Sequence, residues 1–300
     1  MIEFGQRDYD DLCRSGRVRA EIATIEEKRK TGVRRFWLLL AGSLVLGAAI
    51  IVSLLDSDWL VAGAILAVFA LIAALVLGLA PLTAAKEDLK HPVLEELAGK
   101  GGLEYVPSGF EPPVFASAGR PLFGGWSSHV FTDLFHGTDA EGKRFPLYEG
   151  TLTRRQGKNT VTVFTGQVYA FQRRSSGGGD TAIVPDKGLF NFIKPKGMER
   201  VRFDSDADFD RRFEIYSTHP ASALGLAGSD VRRALLDLRQ HGKVYAWIGP
   251  EDALVAVWGK NRFEPGSMFR ARSGEERVKL MFDDVCASLA VLKTLKRAID

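Results

Sequence analysis

Two stretches of this chain carry no charge at all. Phe36 to Leu55 and Trp59 to Ala80 are apolar runs of 20 and 22 residues, separated only by Asp56-Ser57-Asp58. A helix rises about 1.5 Å per residue, so about 20 apolar residues cross a hydrocarbon core about 30 Å thick. The pattern predicts a transmembrane helical hairpin over residues 36–80. A soluble helical hairpin fits less well, because soluble helices keep a polar face. A cleaved signal peptide also fits less well, because the first run begins only after 35 residues and a second run follows at once. The only polar side chains inside the runs are Ser43 and Ser53, so no ionisable group marks an ion or proton path. Small residues recur at four-residue spacing, as Ser43 with Gly47, Gly63 with Ala67, and Ala70 and Ala74 with Gly78. Such spacing lets backbones approach closely, and the short loop favours packing within the hairpin over oligomerisation through its outer face. Trp37 and Trp59 each stand at the start of a run, at opposite interfaces, where an indole suits the membrane boundary.

On either side of the runs the period stays helical. Residues 7–30 place Leu12, Val18, Ile22 and Ile25 on a thin stripe among many charges. The expectation is a solvated helix leading into the membrane, with a short coiled coil to a neighbour as the alternative. Beyond the second run, Leu82 to Lys90 continues as helix until Pro92. Val93, Leu94 and Leu97 then add a turn or two before Gly99, and Gly101-Gly102 breaks the chain.

From Leu103 the period falls to two and turn residues multiply. Strands are predicted at His129 to Thr138, Lys143 to Thr153, Thr160 to Gln172 and Thr181 to Val184, joined by short turns that favour an antiparallel meander. Further strands are expected at Arg200 to Phe203, Phe213 to Ser217, Val244 to Ile248 and Ala253 to Trp258, with a one-turn helix around Phe209. Ser229 or Asp230 is placed to cap a helix whose apolar face is Val231, Ala234, Leu235 and Leu238. An amphipathic helix from about Glu275 ends the chain, and Ser273 with Glu276 is spaced as a capping box. The fold class is α+β: an N-terminal transmembrane helical hairpin, then a cytosolic, mainly antiparallel β-sheet domain with a C-terminal amphipathic helix. The expected domains are 1–35, 36–80, a connecting helix at 81–98, and 99–300, the last as one domain or as two lobes of about 99–197 and 198–300.

Charge sets the orientation. Lys28, Arg29, Lys30, Arg34 and Arg35 precede the first run, whereas the loop between the runs holds two aspartates and no base. Positive flanks stay cytoplasmic, so the expected location is the inner membrane, crossed twice, with both termini in the cytoplasm. Cys13 and Cys286 would then sit in a reducing compartment, which argues against a disulfide. The 40 basic and 37 acidic residues form no concentrated basic stripe, so nucleic acid is not an expected partner.

Certain segments also carry a family resemblance. They are Gly102-Leu-Glu-Tyr-Val-Pro107, Val163-Phe-Thr-Gly-Gln-Val168, Phe209-x-x-x-Phe213-x-Ile-Tyr216 and Leu235-Leu-x-Leu238. With the N-terminal helix and the close pair of spans, they resemble a bacterial family of two-span membrane proteins, domain of unknown function 3137. The resemblance implies a two-span anchor and a cytosolic domain, and it brings no catalytic residues to transfer. The glycine-rich stretch Ser175 to Gly179 departs from the family pattern and reads as a turn.

Candidate chemistry is sparse. Asp204, Asp206, Asp208 and Asp210 alternate like the start of a calcium loop, but Phe209 and Ile215 occupy the positions that need Gly and a bidentate acid. Helix initiation accounts for them better, with Ser205 or Asp206 as cap and Phe209 meeting Phe213. His91, His129, His136, His219 and His241 form no metal-ligand pair. Strict strand alternation would put His129 and Asp133 on one face and His136 on the other, and a serine from elsewhere would have to complete a triad. No catalytic, cofactor-binding or metal-ligating residue is nominated, and no cofactor is expected. The functional expectation is an integral inner-membrane protein with a cytosolic binding or regulatory domain. Its expected partners are the lipid bilayer and a protein at the cytoplasmic membrane surface. A membrane-anchored enzyme and a homo-oligomeric membrane assembly are the alternatives.

Overall fold

The computed structural model describes residues 4–174, 177–186, 195–202 and 206–300. It falls into two compact units: a helical unit of Gly5–Leu97 with Glu264–Asp283, and a sheet unit made chiefly of Ala98–Phe263 and Asp284–Asp300.

In the helical unit, α1 (Gln6–Arg14) stops at Ser15, and α2 (Gly16–Ser53) then runs unbroken through the first apolar stretch. After the loop, α3 (Leu60–Lys100) carries the second stretch onward without ending at Pro81 or Pro92. The expected stop at Pro92 is therefore corrected. Proline costs a helix one hydrogen bond and some room, and a flanking face of buried Leu89, Val93, Leu94 and Leu97 offsets that locally. The expected solvated N-terminal helix is corrected too. Val18 and Ile25 are fully buried, seven residues apart, and Gly32 continues the stripe against Leu82 of α3. Arg17 with Glu95 at 2.7 Å and Lys28 with Asp88 at 2.9 Å tie the same two helices, so the thin stripe is an intramolecular antiparallel seam.

Within the apolar stretches Gly47, Gly63 and Gly78 face the opposite helix, whereas Gly42 meets nothing. A Cβ on Gly47 would stand 3.2 Å from that of Ala67, one on Gly63 would run into Ile50 and Leu54, and one on Gly78 would lie 3.0 Å from Phe36. The small residues are thus used inside the hairpin. The large apolar side chains point outward: Leu38, Val52, Val61, Phe69 and Val76 are all more than half exposed. Two helices here are long and apolar enough to cross a membrane.

Among the described residues the sheet unit is built on nine strands, every pairing antiparallel, in the order β1-β2-β3-β4-β9-β8-β5-β7-β6. Between β1 (Glu104–Ser108) and β2 (Ser128–Thr138) lies α4 (Pro113–Phe123). The meander β2, β3 (Arg144–Gln156) and β4 (Asn159–Gln172) lies where the alternation predicted it. After β5 (Thr181–Pro185) and β6 (Glu199–Val201) come the short α5 (Ala207–Asp210), β7 (Phe213–Ser217), α6 (Pro220–Leu226) and α7 (Ser229–Leu238). The hairpin of β8 (Val244–Ile248) and β9 (Asp252–Trp258) then inserts between β4 and β5, and α8 (Gly274–Ile299) closes the chain.

Local chemistry fixes several boundaries. Ser273 and Glu276 make the predicted reciprocal cap, with Ser273 N donating to Glu276 at 2.8 Å and Glu276 N donating to the Ser273 hydroxyl at 3.1 Å. Asp206 caps α5 by accepting from Phe209 N at 3.1 Å, and the Phe209 and Phe213 rings stack at 4.8 Å. Ser229 is the first residue of α7 and not its cap. That place is taken by Gly228, and the Ala227 carbonyl accepts from Arg232. The expected roles of Asp204, Ser205 and the Ser175–Ser176 part of the glycine-rich turn fall outside the described residues, as does Phe203.

The sheet has two covered faces. On one, α4 lays Phe115, Ala118, Leu122 and Phe123 against Phe131, Tyr148, Leu152, Phe164, Val168 and Leu254. On the other, Gln167 of β4 donates to Ser288 of α8 at 3.0 Å and accepts from Tyr169 at 2.7 Å. Burial holds the Tyr169 phenol up to about 12, so it stays a donor.

Candidate binding cavity

The sheet unit holds a cavity of about 440 Å³ beneath the start of α4. Pro113, Val114 and Ser117 of α4 form its roof. Leu134, His136 and Gly137 of β2, Arg144, Phe145 and Pro146 of β3, and Phe171, Gln172, Trp247 and Asp252 of β4, β8 and β9 form its floor and walls. Six elements, some far apart in sequence, meet there because the β8–β9 hairpin pairs directly beside β4.

One backbone irregularity decides which side chains reach it. The β2–β3 register shifts between Thr132 and Phe135, and Asp133 adopts φ +57. This bulge reverses the alternation downstream. Asp133 turns away from the cavity, is fully buried, and accepts from Tyr105 at 2.7 Å, beside Phe135. Leu134 and His136 face the cavity instead. The sequence expectation is therefore inverted: His129 and Asp133 are separated, and His129 packs on Phe131 and pairs with Glu111 at 2.8 Å. Aspartate tolerates a left-handed backbone better than most residues, which is the one signal the sequence offered.

The other sequence candidates are dispersed. His91 meets Glu87 one helical turn away at 3.0 Å, and His219 precedes α6 with Nδ1 at 3.1 Å from the Thr218 hydroxyl. His241 follows α7, where burial and the nearby Arg262 push its pKa down. Asp206 pairs with Arg232 at 2.8 Å, and Asp208 with Arg212 at 3.0 Å. These acids serve helix α5 and its arginines.

The cavity combines apolar walls with a few polar groups, the usual make-up of a small-molecule site. Phe145, Phe171 and Trp247 are buried, while Arg144 is exposed and His136 and Asp252 are half-buried. Burial, with Glu251 adding to it, raises the Asp252 pKa against the opposing pull of Arg144. His136 Nε2 stands 3.4 Å from Glu104 on the neighbouring strand. Ser117, His136 and Asp252 share one lining, but no hydrogen bond among the described residues joins them. Two buried donors near this face, Tyr148 Oη and Trp247 Nε1, find no hydrogen-bond partner among the described residues. The strand pattern gave no sign of Trp247, Arg144 or Asp252 as neighbours. The roof was legible in principle, since Phe115, Ala118, Leu122 and Phe123 repeat at helical spacing behind a proline at the first helical position.

Taken together, the chain is an α+β protein with an all-antiparallel sheet and two long apolar helices ahead of it. The profile of the family described as protein of unknown function (DUF3137) matches residues 162–297, the part of the chain that holds the motifs around Gly166, Phe209 and Leu235. A crystal structure of the mycobacterial trehalose monomycolate transport factor A, TtfA, is similar at a TM-score of 0.39 and 11% identity, covering 68% of this chain and 91% of that one. Among curated proteins none matches.

Proposed function

We propose that the chain is an integral inner-membrane protein, crossing twice through α2 and α3 with both termini in the cytoplasm. Its sheet unit is a cytosolic binding or regulatory domain that engages its ligand or protein partner at the cavity under α4. One observation carries the anchoring. The large side chains of both apolar runs stay outside any protein core, with Trp37 57%, Leu38 63%, Trp59 71% and Phe69 64% exposed. So much contiguous apolar surface is stable only in lipid or against a partner. The basic residues of α2 that precede its apolar run support the orientation.

Cysteine accessibility tests it. With Cys13 and Cys286 replaced by serine, Ser57→Cys is expected to react with a membrane-impermeant maleimide offered from the periplasm, and Lys158→Cys only after lysis. The reverse pattern overturns the orientation, and extraction of the protein by alkaline carbonate overturns the anchor. Binding at the cavity is tested by proximity labelling from the C-terminus in cells carrying the native chain or Ser117→Trp. A neighbour lost on filling the cavity supports the site. The runner-up enzyme reading is weakened by the separation of His129 from Asp133.

A further inference from the structure

We propose that residues 264–273, the loop leading into α8, form a second contact with the membrane, with Phe269, Arg270 and Arg272 held among anionic lipid headgroups where both apolar helices emerge. This rests on reading α2 and α3 as spans.

Aromatic packing sets the depth of the loop. Phe36 opens the first apolar run and lies against Gly78, two residues before the second run ends, so the two helices reach the same level. The ring of Phe269 meets Phe36 edge-on, 5.1 Å between centroids, and Phe36 meets the exposed Trp37 at 5.3 Å. Phe269 is thereby fixed at the height of the interface, and it is 44% exposed. Nothing in a water-facing loop requires an uncovered phenylalanine there, whereas the headgroup boundary favours an aromatic ring.

Charge points the same way. Residues 265–274 contain Arg270 and Arg272 and no acid, and Arg34 and Arg35 stand immediately before Phe36 on α2. Basic side chains beside a membrane attract anionic headgroups.

The loop is also held in one conformation. Arg277 is fully buried; its Nη1 donates to the carbonyls of Pro265 at 3.0 Å and Ser267 at 3.3 Å, and its Nη2 to that of Arg270 at 2.8 Å. Gly266, at φ +79, makes the turn that aims two of these carbonyls at one guanidinium nitrogen. Lys86 and Lys90 both grip Glu264 at the other end of the segment. A buried guanidinium is costly unless acceptors surround it, and all three acceptors here belong to this loop.

The test uses the full-length chain, with Cys13→Ser and Cys286→Ser, in nanodiscs of phosphatidylcholine with or without phosphatidylglycerol. An environment-sensitive fluorophore is placed on Ala271→Cys, between the two arginines, with Leu38→Cys and Lys158→Cys labelled as references. A nitroxide carried near the lipid headgroup is expected to quench position 271, more strongly when phosphatidylglycerol is present, and to leave position 158 bright. Arg270→Glu with Arg272→Glu should lower the immersed-to-free ratio by about tenfold or more. Arg277→Lys keeps the charge but cannot bridge three carbonyls, so it should loosen the label at 271 and not at 38. If 38 is quenched while 271 is not in either bilayer, the loop contact is overturned and the spans stand. If neither is quenched, the span reading fails and takes this inference with it.

Discussion

At the scale of single residues, the family motif Val163–Val168 has a steric reason in its glycine. Gly166 sits in β4 at φ +147, where a Cβ would fall 2.1 Å from the Val257 carbonyl oxygen on β9. Gly166→Ala is expected to destabilise the protein by about 2 kcal/mol, through strain and separation of the β4–β9 pair, read as a lowered melting temperature in detergent. Asp139 illustrates a different constraint. Its carboxylate and the Lys296 ammonium pair while only 5% and 7% exposed. Burial alone would raise the Asp139 pKa, but Lys296 and the backbone N–H groups of Lys143 and Glu141 outweigh it and leave the pKa depressed. A depressed carboxylate stabilises the fold above its unfolded pKa, and the stabilisation is lost as pH falls through the folded one. Asp139→Asn should therefore cost about 3 kcal/mol at neutral pH, because Lys296 stays buried without its counter-charge. In melts recorded at decreasing pH, the gap between the two proteins should close only below the usual carboxylate range. Neither role could be read from sequence, where Gly166 is one of 31 glycines and Asp139 belongs to an ordinary turn.

Among the elements, those with a long unambiguous period were legible and those set by one backbone event were not. Strands β3, β4, β7, β8 and β9 and the capped α8 lie within a few residues of their expected places, since alternation and capping are local properties. The face reached by His136 was misread, because one bulge at Asp133 inverts every later side chain of β2. Helix α4 is short and framed by prolines at 112, 113 and 121, which the surrounding β pattern masks. The small-residue stripes, by contrast, told which face of each apolar helix meets the other. A Gly47→Cys, Ala67→Cys pair, made without the native cysteines, should form a disulfide within one chain on mild oxidation, since the Cβ positions nearly touch. A cross-linked dimer on a denaturing gel as the main product would place these stripes between chains instead.

For the whole molecule, the proposed anchor and the sheet answer to different physics. Helices in hydrocarbon must be apolar all round, so 20 consecutive residues reveal them without any knowledge of their neighbours. The same holds for the amphipathic α8, and such local features account for what the sequence determined by itself: two long apolar helices, then an antiparallel sheet domain with a final helix. The proposed placement of the sheet unit at the cytoplasmic surface follows from that anchor, and the Ser57 and Lys158 labelling described above tests it. Tertiary structure alone decided which strands are neighbours. The β8–β9 hairpin lies more than 70 residues beyond β4 yet pairs with it, and that pairing brings Trp247 and Asp252 to a cavity roofed by α4. It also turned the sparse Val18 and Ile25 stripe into a buried seam and Arg277 into the clamp of a loop. Local periodicity shows that a face must be buried, but the partner of that face depends on non-local contacts whose chain-entropy cost is met only when the whole fold forms.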